Sequence, residues 1–206
     1  MCCKKKQKVF MPSQEQKRLI LHDAVYYEIL FAFGISAHDE TDYCSWEHIN
    51  FSRMGHARAL YWFFETSIAD RKQDDVVSED FKFGPIIIQR PSDDQTRLNK
   101  DLFHLTYARL RHFANLQNKP WPNSILSCLH EPCVEFIKHL LAHKNEFGAS
   151  NDFVMWEQLL TALNSGREFR IHRTFIQAGV ESHYTFTFGS SLQFGRSELT
   201  KPKVIL

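Results

Sequence analysis

Arg97 and His104 stand seven residues apart in the stretch Arg97-Leu98-Asn99-Lys100-Asp101-Leu102-Phe103-His104. Seven residues of α-helix make close to two turns, so the two side chains point the same way to within about 20°. A guanidinium and an imidazole on one helix face suit metal-independent RNA cleavage. The imidazole takes the proton of a ribose 2′-hydroxyl, and the guanidinium stabilises charge growing on the attacked phosphate. The same spacing also arises on any solvated or subunit-facing polar stripe, so both readings stand at this point.

These residues must be held by a helix. Ser92 and Gln95 form a capping box, which predicts a helix from about Asp93 to about Leu116, and Asp93 and Asp94 in its first turn suit the macrodipole. On its wheel Leu98, Leu102, Leu105, Leu110 and Phe113 fall on one half, while Arg97, Lys100, Asp101, His104, Arg111 and His112 fall on the other. Two helices precede it. Between Gln14 and Phe33, the residues Leu19, Ile20, Ala24, Tyr27, Leu30 and Phe31 form an apolar stripe of helical period, with Ser13 as N-cap and Gly34 as C-cap. From about Ser45 to Ala69, Tyr61, Trp62, Phe63 and Phe64 carry apolar surface most of the way round, which marks that helix as central. Phe81 to Gln89, ending in Ile86, Ile87 and Ile88, reads as an extended segment packed on the helices. After the turn Lys119-Pro120-Trp121-Pro122, further helices are predicted at about Pro132 to His143 and Asp152 to Asn164. Beyond Gly166 the alternation of Phe169, Ile171, Tyr184, Phe186 and Phe188 with polar residues is that of short strands.

Composition bounds the partners. With 206 residues and 43% hydrophobic content the chain can build one sizeable core,. Its 25 basic and 24 acidic residues nearly cancel, so any RNA contact must come from a local patch,. The cysteines, at positions 2, 3, 44, 128 and 133, show no paired CxxC spacing, and reduced thiols in a cytoplasm are the simpler reading. The start, MCCKKKQKVF, has charge without an apolar run, so neither a signal peptide nor a membrane span is expected. Cys2 and Cys3 beside lysines could accept lipid, and a membrane-surface role through the first eight residues is a third reading of the chain.

Other groups carry less chemistry. His22 with Asp23 and Glu28 could be drawn as part of a metal site, but no second cluster has suitable spacing. His139 and His143 are four apart, yet Leu140 stands where a zinc hydrolase would place a glutamate. Arg53, His56 and Arg58 beside Gly55 make a second basic cluster that could extend an RNA-binding surface or meet the next helix, or else solvate a helix face. Trp121 could stack a base or plug the end of a bundle. No GxSxG elbow and no glycine-rich phosphate loop occurs.

The stretch Arg97 to His104 resembles the signature of the HEPN superfamily, an arginine, four to six intervening residues and a histidine. The following Leu105-Thr106-Tyr107-Ala108-Arg109-Leu110 is similar to small bacterial members. So is the helix carrying Ala57-Arg58-Ala59-Leu60-Tyr61-Trp62-Phe63-Phe64. The resemblance covers about residues 14 to 145. It implies a helical bundle that dimerises so that two Arg/His pairs face one cleft, for RNA binding or cleavage in toxin, phage-defence or stress systems. Carried over by position, His104 is the general base and Arg97 the phosphate-stabilising cation. Asn99, Lys100, Asp101, Arg111 and Arg58 are the supporting or RNA-binding residues, with no metal and no cofactor. An antitoxin protein is a further implied partner.

The expectation is therefore a mainly α chain, an up-and-down bundle of four to five helices with a short β-like or irregular C-terminal tail. Residues 1–12 form a disordered basic N-terminus and residues 13–165 the helical domain. Residues 166–206 form a tail that is either a β-hairpin or partly disordered. The alternative function, from another class, is a catalytically inactive helical protein–protein interaction module.

Overall fold

Ser13 starts the first helix as its pattern predicts: its hydroxyl accepts from the Gln16 N–H, and the Gln16 side chain accepts from the Ser13 N–H in return,. The computed structural model describes residues 10–36, 43–72, 74–91, 94, 98, 99, 124–177 and 180–189. Its described part is mainly helical, with one small sheet. The elements are α1 (Gln14–Ile20), a π-helical turn (Leu21–Val25), α2 (Tyr26–Phe33), β1 (Ile35–Ser36), α3 (Tyr43–Glu65), a 3-10 turn (Ser78–Phe81), α4 (Ser124–Ala142), α5 (Lys144–Phe147), a second 3-10 turn (Ser150–Phe153), α6 (Val154–Asn164), β2 (Phe169–Gln177) and β3 (Val180–Phe188). The helix predicted from Asp93 to Leu116 lies outside the described residues except at Asp94, Leu98 and Asn99, as do Trp121 and its prolines.

The expected first helix runs as one rod, but the π turn inside it shifts the phase of its stripe. A π turn takes an extra residue, so side chains before it face differently from those after it. Leu21, Val25, Ile29, Leu30 and Phe33 are buried, whereas Leu19, placed on the stripe by a uniform period, is 53% exposed. Gly34 does follow α2, but not as a left-handed cap: its backbone is extended, at φ −81° and ψ 145°. Glycine is needed there for proximity. A Cβ would lie 2.8 Å from the Leu30 carbonyl oxygen and 3.0 Å from both Phe186 Cβ and Phe188 Cζ.

α3 ends at Glu65, four residues before its predicted end, and Ser67 and Asp70 close the turn behind it. It packs Met54, Ala57, Leu60, Phe63 and Phe64 into the core, yet Trp62 remains 43% exposed. Phe63, Phe64, Phe81 and Phe83 all pack edge-on against Phe136 of α4, at ring separations of 5.2 to 6.1 Å,. Phe136 in turn meets Trp156 of α6 at 6.3 Å. The segment after the 3-10 turn forms neither helix nor strand and packs on the helices: the Ile86 N–H donates to the Phe64 carbonyl, and Ile88 is buried.

α4 begins eight residues before the predicted start at Pro132, which lies inside it. A proline within a helix forfeits one backbone hydrogen bond and costs about 3 kcal/mol. Here the turns before it bury Ile125, Leu126 and Leu129, and Tyr61 Oη donates to the Ile125 carbonyl at 2.8 Å. Tertiary packing outweighs the local penalty.

The tail resolves to a hairpin over residues 169–188. β2 pairs antiparallel with β3 from Phe169↔Phe188 to Gln177↔Val180, and β1 adds Ile35↔Thr187 and Ser36↔Phe186 on the other side of β3. Ile171, Phe186 and Phe188 point into the helical core. Residues 190–206 lie outside the described residues.

Candidate functional site

Arg97, Lys100, Asp101, His104 and Arg111 lie outside the described residues, so the described geometry around the motif is that of its two supporting residues, Asn99 and Arg58. It brings these two together: Arg58 Nε donates to Asn99 Oδ1 at 3.2 Å. Leu98 beside Asn99 is buried. Both residues border a groove of about 690 Å³ between the first helical rod and α3.

The groove follows from what α3 turns outward. Gly55, Arg58, Ala59 and Trp62 line it at three- and four-residue spacing, so they share one helix face,. Ala24 and Ile20 of the facing rod, with Val76, complete an apolar floor. The rim is charged in both signs. The Trp62 indole N–H donates to Asp75 at 3.0 Å, and Lys72 Nζ stands 5.4 Å from the ring centre. Arg90 gives two hydrogen bonds to Glu65, at 2.7 and 2.9 Å, while its guanidinium lies 3.9 Å from the centre of the Tyr61 ring. Such a stacked, bidentate arginine is fixed in orientation.

The basic cluster of α3 divides three ways. Arg53 is buried, and its Nε donates to the Ala32 carbonyl at the end of α2 at 2.9 Å, where a cation suits the helix dipole,. Burial pulls its pKa down to about 10, which leaves it charged at neutral pH. It therefore offers nothing to an external RNA surface. His56 Nδ1 meets Glu28 at 2.8 Å, and the rings of Tyr27 and Phe31 pack on it at 5.2 and 5.3 Å. Because the carboxylate accepts, Nδ1 carries the proton and Nε2 is left as the basic nitrogen of the neutral ring. Glu28 also lines the groove. This carboxylate–imidazole pair could not be found from spacing, since its members come from different helices 28 positions apart.

His22, His139 and His143 make their contacts within the fold. His22 Nδ1 accepts from the Trp156 indole N–H at 3.0 Å and its Nε2 faces the Phe147 carbonyl at 3.3 Å. His139 Nε2 faces the Phe81 carbonyl at 2.9 Å, and His143 Nδ1 faces the His139 carbonyl at 2.9 Å. Carbonyls accept, so each nitrogen that faces one carries a proton, while His22 Nδ1 is bare. Asp94, expected in the first turn of the helix that follows Ser92, is buried and accepts from Ser124 Oγ at 2.6 Å, holding the first residue of α4. Cys133 is fully buried, which pushes its thiol pKa far up and leaves it unreactive,. Among the described residues no three His, Cys, Asp or Glu side chains are grouped to hold a metal, and no helix is long and apolar enough to cross a membrane. Comparison with family models, with curated proteins and with solved structures finds no match to this chain.

Proposed function

We propose that the chain is an RNA-binding protein in which Arg97 and His104 cleave RNA without a metal. It would act as a cytoplasmic homodimer in a defence, toxin or stress system, restrained by an antitoxin protein. The observation that carries this reading is the hydrogen bond from Arg58 to Asn99. It joins a cation of the central helix to the residue two positions after Arg97, on the wall of a groove whose volume suits a nucleotide-sized ligand,.

In the proposed reaction His104 takes the 2′-hydroxyl proton, the freed oxygen attacks phosphorus, and the 5′-oxygen leaves with a proton returned by the imidazolium. Arg97 neutralises the pentavalent phosphate, and Arg58 adds charge at the groove wall. The products are a 2′,3′-cyclic phosphate and a 5′-hydroxyl. The test is to incubate the purified protein with mixed RNA in chelator and look for those ends. His104→Ala should lower the rate by about 10²- to 10⁴-fold with the fold intact; unchanged cleavage would remove His104 from the role.

A second reading has its own support. The groove rim sets Arg58 and Lys72 against Glu28 and Asp75, and a mixed rim beside an exposed tryptophan suits a protein partner as well as a polyanion,. In that case the chain is a catalytically inactive interaction module, and neither RNA binding nor cleavage is observed.

A further inference from the structure

Trp62 is turned out of the core: it is 43% exposed, while Tyr61, Phe63 and Phe64 beside it are buried. Its ring is nevertheless held in place. Asp75 Oδ2 accepts both from the indole N–H at 3.0 Å and from the Lys72 backbone N–H at 3.1 Å, which ties the ring edge to the segment that follows α3. One and two turns back on the same helix face stand Ala59 and Gly55, whose small size leaves a trough in the groove beside the ring,. The charges around this trough are unequally committed. Glu65 holds Arg90, Glu28 holds His56, and Asp75 holds the indole and a backbone N–H. Among the described residues no carboxylate pairs with Lys72 Nζ, which stands 5.4 Å from the centre of the Trp62 ring.

We propose that an unpaired base of single-stranded RNA stacks on Trp62, with a neighbouring phosphate on Lys72. The proposal rests on the RNA-binding reading above and names the part of the strand that the groove takes. A fixed aromatic face beside an uncommitted ammonium is complementary to a flat ring joined to a phosphate. Stacking of this kind tolerates sequence, because every base has such a face. A duplex hides its base faces, and unpaired bases are the ones that can be splayed onto an aromatic side chain. An aliphatic side chain of a protein partner would fill the trough and leave Lys72 unused.

The probe is a labelled 2′-O-methyl oligoadenylate, which lacks the free 2′-hydroxyl that cleavage needs, titrated with the full chain and followed by anisotropy. Binding to the single strand is expected, with quenching of indole emission. Both should be lost when the strand is annealed to oligouridylate or carries abasic sugars. Trp62→Leu keeps an apolar side chain and should weaken binding by about 5- to 150-fold, the worth of one stacked base, and remove the quenching. Ala59 is exposed, so Ala59→Leu fills the trough without entering the core; it should weaken binding by a comparable factor with the melting temperature unchanged. Lys72→Gln should lower the salt dependence by about one phosphate contact. If the parent binds and either leucine variant binds equally well, the stack is overturned while the RNA reading stands. Equal binding of the duplex or the abasic strand overturns it in the same way, since backbone contacts then suffice. Adenosine monophosphate competing as tightly as the strand assigns the groove to a free nucleotide instead. No binding to any of these oligonucleotides overturns the RNA reading and the stack together.

Discussion

His22 has a protonation state dictated by its partners, and that makes the stability of the fold pH-dependent in a defined direction. The Trp156 indole N–H can only donate, so His22 Nδ1 must be bare and its proton must sit on Nε2, facing the Phe147 carbonyl,. Protonating the ring would aim a second N–H at the indole N–H. Burial lowers the His22 pKa from 6.5; the Phe147 carbonyl and Asp152 pull it back up, while Arg18 lowers it further. A histidine depressed in the folded state is protonated first in the unfolded chain. Its contribution is therefore complete above pH 6.5 and is lost as the pH falls through the folded value. One proton sets a ceiling of about 1.4 kcal/mol per pH unit, and the partial exposure of the ring keeps the real slope below that,. Urea unfolding at several pH values between 8 and 5 measures it. His22→Asn keeps an acceptor for Trp156 and removes the titration, so it should cost about 1 kcal/mol at pH 8 and flatten the slope. His22→Phe orphans a buried N–H and should cost about 1 to 3 kcal/mol more. A slope in His22→Asn equal to that of the parent would refute the reasoning. The depressed carboxyls of Glu146, held by Lys82, and of Asp152, held by the Ala149 N–H, act only below about their ordinary values of 4.5 and 3.8, in a separate window.

Two further stability tests probe the frame. Arg71 and Asp80 form a pair with side chains 4% and 6% exposed, so Arg71→Ala or Asp80→Asn should each cost about 3 to 5 kcal/mol in urea unfolding; losses under about 1 kcal/mol would show that water reaches the pair. Gly34→Ala forces a methyl against Leu30, Phe186 and Phe188 and should cost about 1 to 3 kcal/mol, lowering the melting temperature by several degrees. An unchanged melting temperature would mean that the hairpin shifts to make room.

Much of the helical frame can be read from local pattern, and what cannot be read is set by distant partners. The Ser13 cap and the helical periods of α1 to α3 depend on residues within one or two turns of each other. The π turn does not: nothing in Leu21-His22-Asp23-Ala24-Val25 marks it, and we have no local cause for it. Pro132 looks like a helix start because helix propensity takes no account of Ile125 and Leu129, whose burial keeps the preceding turns helical. Arg53, His56 and Arg58 read as one basic surface because they are close in sequence. Ala32, Glu28 and Asn99, which separate them in space, come from elsewhere in the chain. Of the proposed RNA site, the pattern shared by Arg97 and His104 was legible, whereas the groove beside Asn99 required the packing of α3 on the first rod.

Gly55 offers a test of whether that groove is used. A glycine within a helix costs about 0.5 to 1 kcal/mol relative to alanine, and a Cβ placed on Gly55 would meet no atom of the described residues within 4 Å. No described neighbour thus requires its absence, and Gly55 lies on the groove floor with Ala24 and Ala59. A residue unfavourable for its own helix and not required by its neighbours is expected where another molecule's atoms must approach the backbone closely. Gly55→Ala should then raise unfolding stability by about 0.5 to 1 kcal/mol and the melting temperature by a few degrees, while weakening RNA binding in a filter or anisotropy assay. Arg58→Ala should weaken the same binding and reduce its salt dependence by about one phosphate contact. If Gly55→Ala stabilises the protein and leaves RNA affinity unchanged, RNA does not lie on this face of α3, and the proposed site must be sought away from this groove.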